Sequence, residues 1–173
     1  MRTTLLAVAA ALLLLTVLAP AVPAEETLVT YDLNLAGYQP GMSLDDAALV
    51  RPFQFTETLP AGNPPGTYFT VATIDYLSID GIDISLRLYF RDDRLDKLIG
   101  RFPATAMSRL HRLLLQRLGP GTDLSRLVQR NDGSILELPV WRWDFPNARI
   151  TLVGSAGGND RGTLALSARH RKN

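Results

Sequence analysis

The alternation of residues around Asp80-Gly81 constrains the fold of this chain more than any other feature. Ile79 and Ile82 flank the pair. Asp-Gly between alternating apolar residues is the pairing expected of a two-residue hairpin turn, because both central residues adopt positive φ and these two types tolerate it well. Read outward from this turn, opposing residues fall as Leu77 with Ile84, Asp75 with Leu86, Thr73 with Leu88 and Val71 with Phe90. That register predicts one apolar face and one mixed face carrying Ala72, Ile74, Tyr76, Ser78, Asp83, Ser85, Arg87, Tyr89 and Arg91. Asp92-Asp93 then turns the chain again, with Leu95 opposite Phe90 and Ile99 opposite Leu86. A two-residue turn there sets Arg91 against Arg94, an unfavourable like-charge pair, which leaves a turn one residue longer as the alternative.

An apolar sheet face needs a cover. Residues 104–118 supply a helix with Met107, Leu110, Leu114 and Leu118 at helical spacing, Leu113 beside them, and Arg109, Arg112 and Gln116 turned away. Pro103 precedes it and Gly119-Pro120 stops it. A short helix is expected near 43–49, where Ser43 supplies the cap and Asp45 and Asp46 fall in the first turn, which the helix dipole favours. Further strands read at 27–36, 135–143, 149–153 and 163–168, with a short turn of helix from Asp123 and a turn at Asn131-Asp132-Gly133. Prolines and glycines mark 59–66 as a loop, and 154–162 reads as a flexible hairpin loop. The expected fold is α+β: an antiparallel sheet packed against one main helix at about 104–118, with a short helix near 43–49.

The N-terminus carries an address. Arg2 is followed by an apolar run from Leu5 to Leu18, Pro20, and small residues Ala21-Val22-Pro23-Ala24 before Glu25-Glu26. This is the pattern of a secretory signal peptide over residues 1–24, cleaved after Ala24. The apolar run is shorter than the roughly 20 residues that cross a bilayer, so no stable membrane anchor is expected. Residues 25–173 are then a single α+β domain. Of the 18 basic residues, 17 follow Arg2, against 17 acidic ones. A neutral domain lacks the basic excess of a nucleic-acid binder, so no nucleic-acid partner is expected. The chain has no cysteine, which removes disulfides, thiolate zinc sites, a cysteine nucleophile and a lipid-bearing cysteine. An exported chain without cysteine fits a bacterial periplasm.

Residues with catalytic potential lack the company that chemistry requires. His111 lies three positions after Ser108 on the helix, but an orienting carboxylate and an oxyanion site are missing from the pattern. His170 belongs to a basic tail that reads as a solvated terminus. Asp80, Asp83, Asp92, Asp93 and Asp96 match no calcium-loop spacing and read as turn formers and polar-face residues. The glycine-rich stretch after Val153 lacks a P-loop ending and precedes a strand. No catalytic residue, metal ligand or cofactor is assigned. Two groups are candidates for partner binding. Trp141 and Trp143 share one face of a strand, reading first as core and otherwise as recognition anchors. Tyr76, Arg87 and Tyr89 lie on the mixed hairpin face, with the composition favoured at interfaces.

Gly41-Met42-Ser43-Leu44-Asp45-Asp46-Ala47-Ala48, with strands ending Leu88-Tyr89-Phe90-Arg91-Asp92-Asp93-Arg94-Leu95, resembles small periplasmic domains of the outer-membrane-assembly lipoprotein and beta-lactamase-inhibitor-protein type. The resemblance covers residues 40–95 and departs from the group in having no lipid-bearing cysteine and in the long helix beyond it. It implies an architecture and does not transfer a function. The function expected is that of an exported, periplasmic, non-enzymatic protein-binding or inhibitor-like module acting through a sheet face on a protein of the cell envelope. The alternative is an envelope protein that holds a small apolar ligand or lipid between helix and sheet, and the third reading is a hydrolase without a recognisable motif.

Overall fold

Hairpin chemistry builds most of the sheet. The computed structural model describes residues 34–61, 66–130, 132–155 and 160–169. The expected signal peptide and most of the strand expected at 27–36 lie outside them, and of that strand only Asn34, Leu35 and Ala36 are described. Leu35 pairs with Tyr38 in an isolated bridge across Ala36-Gly37. Helix α1 (Leu44–Val50) starts at Ser43, whose hydroxyl accepts from the Asp46 N–H at 3.1 Å. Four strands follow as a meander: β1 (Phe55–Pro60), β2 (Tyr68–Ile79), β3 (Ile82–Arg91) and β4 (Arg94–Pro103). A 3-10 turn (Ala104–Ala106) leads into helix α2 (Met107–Leu118), closed by Gly119. The chain then forms β5 (Thr122–Asp123), a separate hairpin of β6 (Arg126–Gln129) and β7 (Ile135–Leu138), and the meander β8 (Val140–Asp144), β9 (Ala148–Val153) and β10 (Arg161–Ala168). The main sheet runs β1-β2-β3-β4-β10-β9-β8-β5, each described pairing antiparallel. The fold is therefore α+β, mostly antiparallel sheet with two helices.

Both turns of the β2–β4 meander have two residues. Asp80 and Gly81 take φ of 51° and 73°, and Asp92 and Asp93 take 49° and 59°. The second turn is thus the two-residue one and the longer alternative is not adopted: Leu95 opposes Phe90 and Arg91 does oppose Arg94. Each guanidinium leaves the other for its own partner. Arg91 pairs with Asp96 at 3.5 Å and lies 4.9 Å from the Phe69 ring centre, while Arg94 donates to the Gly41 carbonyl at 3.3 Å. Asp93 accepts from the Leu44 N–H at 3.2 Å, so the turn also satisfies an orphan donor at the start of α1.

Two bulges correct the expected register. Leu77 opposes Ile84 as read from the sequence, but the next pairs are Ile74 with Leu86, Thr73 with Arg87 and Val71 with Tyr89. Asp75 and Tyr76 together face one residue of β3, and the extra residue reverses the parity of β2 beyond it. Ala72 and Ile74, expected on the mixed face, are consequently buried. A second irregularity, at Asp96, shifts β4 so that Leu86 opposes Gly100 and Ile99 opposes Arg87. Three smaller expectations are also corrected. Leu59 and Pro60 end strand β1 rather than beginning a loop, Thr122–Asp123 is strand rather than helix, and Pro139 divides the strand expected at 135–143 into β7 and β8.

The buried cluster lies on one face of the sheet. Ile84, Leu86, Leu88, Phe90, Leu98, Phe102, Leu152 and Leu164 form it with Leu110 and Leu114 of α2 and Ala47 of α1. Met107, Leu113 and Leu118 pack partly buried against it, as the helical spacing predicts. Gly162 makes room in this layer. A Cβ there would lie 2.3 Å from the Phe102 ring, so the aromatic covers the bare backbone of the neighbouring strand. Helix α2 is tied to the β2–β3 turn by Arg109, which donates to the Asp80 carbonyl, and by Arg117, whose guanidinium sits 2.9 Å from the Asp80 carboxylate. Arg109 is thus exposed yet engaged, which its place on the polar side of the helix did not reveal.

Candidate binding site on the outer face of the sheet

Alternation sends the remaining side chains of β3, β4 and β10 to the opposite face, where Arg87, Arg101 and Arg161 are exposed. There Thr73, Asp75, Ser85, Arg87, Tyr89, Ile99, Arg101 and Arg161 line a depression of about 310 Å³, floored by the backbone around Leu86. A second depression of about 200 Å³ adjoins it, sharing Asp75, Ser85, Arg101 and Arg161 and adding Tyr76 and Asp83. Arg87 and Tyr89 thus line one hollow and Tyr76 the next, so the structure brings these three sequence candidates together. Tyr76 is 55% exposed. Its phenol is held above its ordinary pKa, first by its side-chain hydrogen bond to Asp83 and then by the charge of that carboxylate. Tyr89 is half-buried, with its ring edge-on to Phe69 at 6.0 Å and Lys97 lying 5.7 Å from its centre.

The tryptophans sit elsewhere. Trp143 is buried in the core on the inner face and donates from Nε1 to the Gly119 carbonyl at 2.9 Å. A Cβ at Gly121 would lie 2.6 Å from its ring, so the exit of α2 is seated on the indole. Trp141 is half-buried and stacks on His111, with ring centres 3.9 Å apart and planes inclined by 22°. His111 therefore serves as a packing surface between helix and strand in this structure.

Two features of the outer face were not singled out from the sequence. One is the pair Arg101 and Arg161, which joins Arg87 only through strand pairing. The other is Asp144, with Arg149 Nε at 2.7 Å, Arg142 Nε at 2.7 Å and Arg169 Nη2 at 3.5 Å. The Arg149 contact is an aligned hydrogen bond, whereas Arg142 is close without its N–H being aligned. The hydrogen bond from Arg149 is the largest cause of a lowered Asp144 pKa, with the charges of Arg142, Arg149 and Arg169 adding to it against some desolvation.

Among the described residues no group of three His, Asp or Glu side chains lies close enough to hold a metal ion, and no helix is long and apolar enough to cross a membrane. The apolar hollow beside α2, lined by Ile79, Leu110, Leu113, Leu114, Leu118 and Ile150 among others, holds about 110 Å³. Small-molecule sites span roughly 300 to 1,000 Å³. Comparison of the chain with family models, curated proteins and solved structures finds no match.

Proposed function

We propose that the protein is an exported, periplasmic, non-enzymatic binding module that engages a protein partner of the cell envelope through the outer face of its sheet. The observation that supports this reading is the gathering of Tyr76, Arg87 and Tyr89 around adjoining hollows on a face where Tyr76 and Arg87 are exposed. Helix α2 is in this view the one main cover of the sheet, so the opposite face is the one available to a partner. Aromatic and arginine side chains on strands are suited to the task. They present large contact areas from a rigid backbone, which lowers the ordering cost of binding. The tryptophans are assigned to packing in this reading, since Trp143 is buried and Trp141 is stacked against α2. The resemblance of residues 40–95 to periplasmic assembly and inhibitor domains concerns architecture, and no partner is carried over from it.

The test uses the exported chain beginning at Glu25, a start that intact mass verifies. A partner captured from periplasmic extract is identified and its affinity measured. Joint replacement Arg87→Ala and Tyr89→Ala should weaken that affinity by about 1 to 4 kcal/mol while the thermal melt stays cooperative. A folded double variant that binds the partner at full strength overturns the assignment of this face.

A further inference from the structure

Arg87, Arg101 and Arg161 form a diagonal line across three neighbouring strands. Arg87 opposes Ile99, two residues from Arg101 on β4, and Arg101 opposes Thr163, two residues from Arg161 on β10. Diagonal neighbours of this kind are roughly 7 to 8 Å apart, within reach of one another for side chains as long as arginine. All three are exposed and line the same hollow. Among the described residues, none of the three makes an ion pair or a side-chain hydrogen bond. Other arginines of the same face do find carboxylates, Arg91 at Asp96 and Arg142 and Arg149 at Asp144.

We propose that this diagonal of arginines is a binding site for a phosphate monoester. Three guanidinium groups and the single carboxylate of Asp75 line the hollow, leaving two positive charges that a dianionic phosphate neutralises. Guanidinium forks match phosphate oxygens in geometry as well as charge. The Thr73 and Ser85 hydroxyls add donors on the same wall, and Ile99 and the Tyr89 ring offer carbon surface to the organic part of the ester. Asp83 in the adjoining hollow is occupied by the Tyr76 hydroxyl. The site goes beyond the partner-binding reading and stands or falls without it, since it requires only a small anion.

The experiment titrates ¹⁵N-labelled protein with glycerol phosphate at neutral pH, and in parallel measures binding to phosphatidylcholine vesicles with and without phosphatidic acid. Saturable shifts are expected at residues 85–89, 99–103 and 161–163. Arg101→Gln and Arg161→Gln should each weaken binding by about tenfold or more, Asp75→Asn should tighten it, and Arg112→Gln on the exposed side of α2 should leave it unchanged. Vesicle binding that depends on Arg101 without binding of the soluble ester places the phosphate on a lipid headgroup. Binding of the soluble ester supports a free metabolite. Failure to bind either probe, or binding by Arg101→Gln at wild-type strength, overturns the site.

Discussion

On the inner face of the sheet, Leu86, Leu88, Phe90, Leu98 and Leu152 meet the leucines of α2, and no polar or charged residue is buried among the described residues. On the outer face and its margin, Arg142, Arg149 and Arg169 gather around Asp144, while Arg87, Arg101 and Arg161 surround a hollow and make no ion pair among the described residues. The inner layer follows from the cost of burying charge. The outer layer is free of that constraint, so what distinguishes its two arginine groups is the placement of a carboxylate. The Asp144 carboxylate is engaged by its three arginines and ties β8, β9 and the end of β10 together. The Arg87 group lines its hollow beside Asp75 with no ion pair among the described residues, which is the ground for the anion site proposed above.

This contrast is broken most forcefully from the inside. Leu114→Ala opens a void under the sheet and should cost about 2 to 5 kcal/mol, whereas Arg112→Ala on the exposed side of the same helix should cost about 0.5 kcal/mol or less. Denaturant midpoints compare the two directly, and equal midpoints contradict the burial of this stripe.

A smaller effect belongs to Asp144. Its folded-state pKa lies below the ordinary 3.8. The stability that its charge contributes is thus fully present above that ordinary value and lost as pH falls through the lowered folded one. Asp144→Asn should be less stable than the wild type at neutral pH, with the two stability curves converging in acid below about pH 4. Parallel curves over the whole range would show that the three arginines contribute nothing through this carboxylate.

The smallest effect sharpens the comparison between the arginine groups. Without added anion, Arg101→Gln should change stability by no more than about 0.5 kcal/mol, because it removes mutual repulsion and breaks no pair. Arg149→Gln removes the aligned hydrogen bond to Asp144 and should lower the melting temperature further. A larger loss from Arg101→Gln would reveal a structural partner for that guanidinium.

Local chemistry made part of this legible from the sequence. Pro103 and Gly119-Pro120 bracket α2, Ser43 caps α1, and the turn residues Asp80-Gly81 and Asp92-Asp93 mark the ends of β2 and β3. The bulge at Asp75 and Tyr76 was hidden because β2 is apolar at both parities. Val71 and Leu77 suit one face and Ala72 and Ile74 the other, so alternation alone does not show where the parity reverses. Tyr76, Arg87 and Tyr89 were found because the hairpin around Asp80-Gly81 is local. Arg101 and Arg161 were missed because they meet only where β4 pairs with β10, a pairing fixed by the whole fold and signalled by no motif near either strand.

The position of β10 also has a kinetic consequence. It follows every other strand in the chain, yet it lies in the interior of the sheet between β4 and β9. Meander β1–β4 and hairpin β8–β9 can each zip up from a nearby turn, but the two halves join only when β10 arrives to pair Arg161 with Pro103 and Ser167 with Lys97. Until then β4 is an open edge carrying Leu98 and Phe102. Closing so long a loop is intrinsically slow, and an apolar edge in waiting invites pairing with other chains. The interval between synthesis of β4 and docking of β10 is therefore when this protein most needs protection from its own copies.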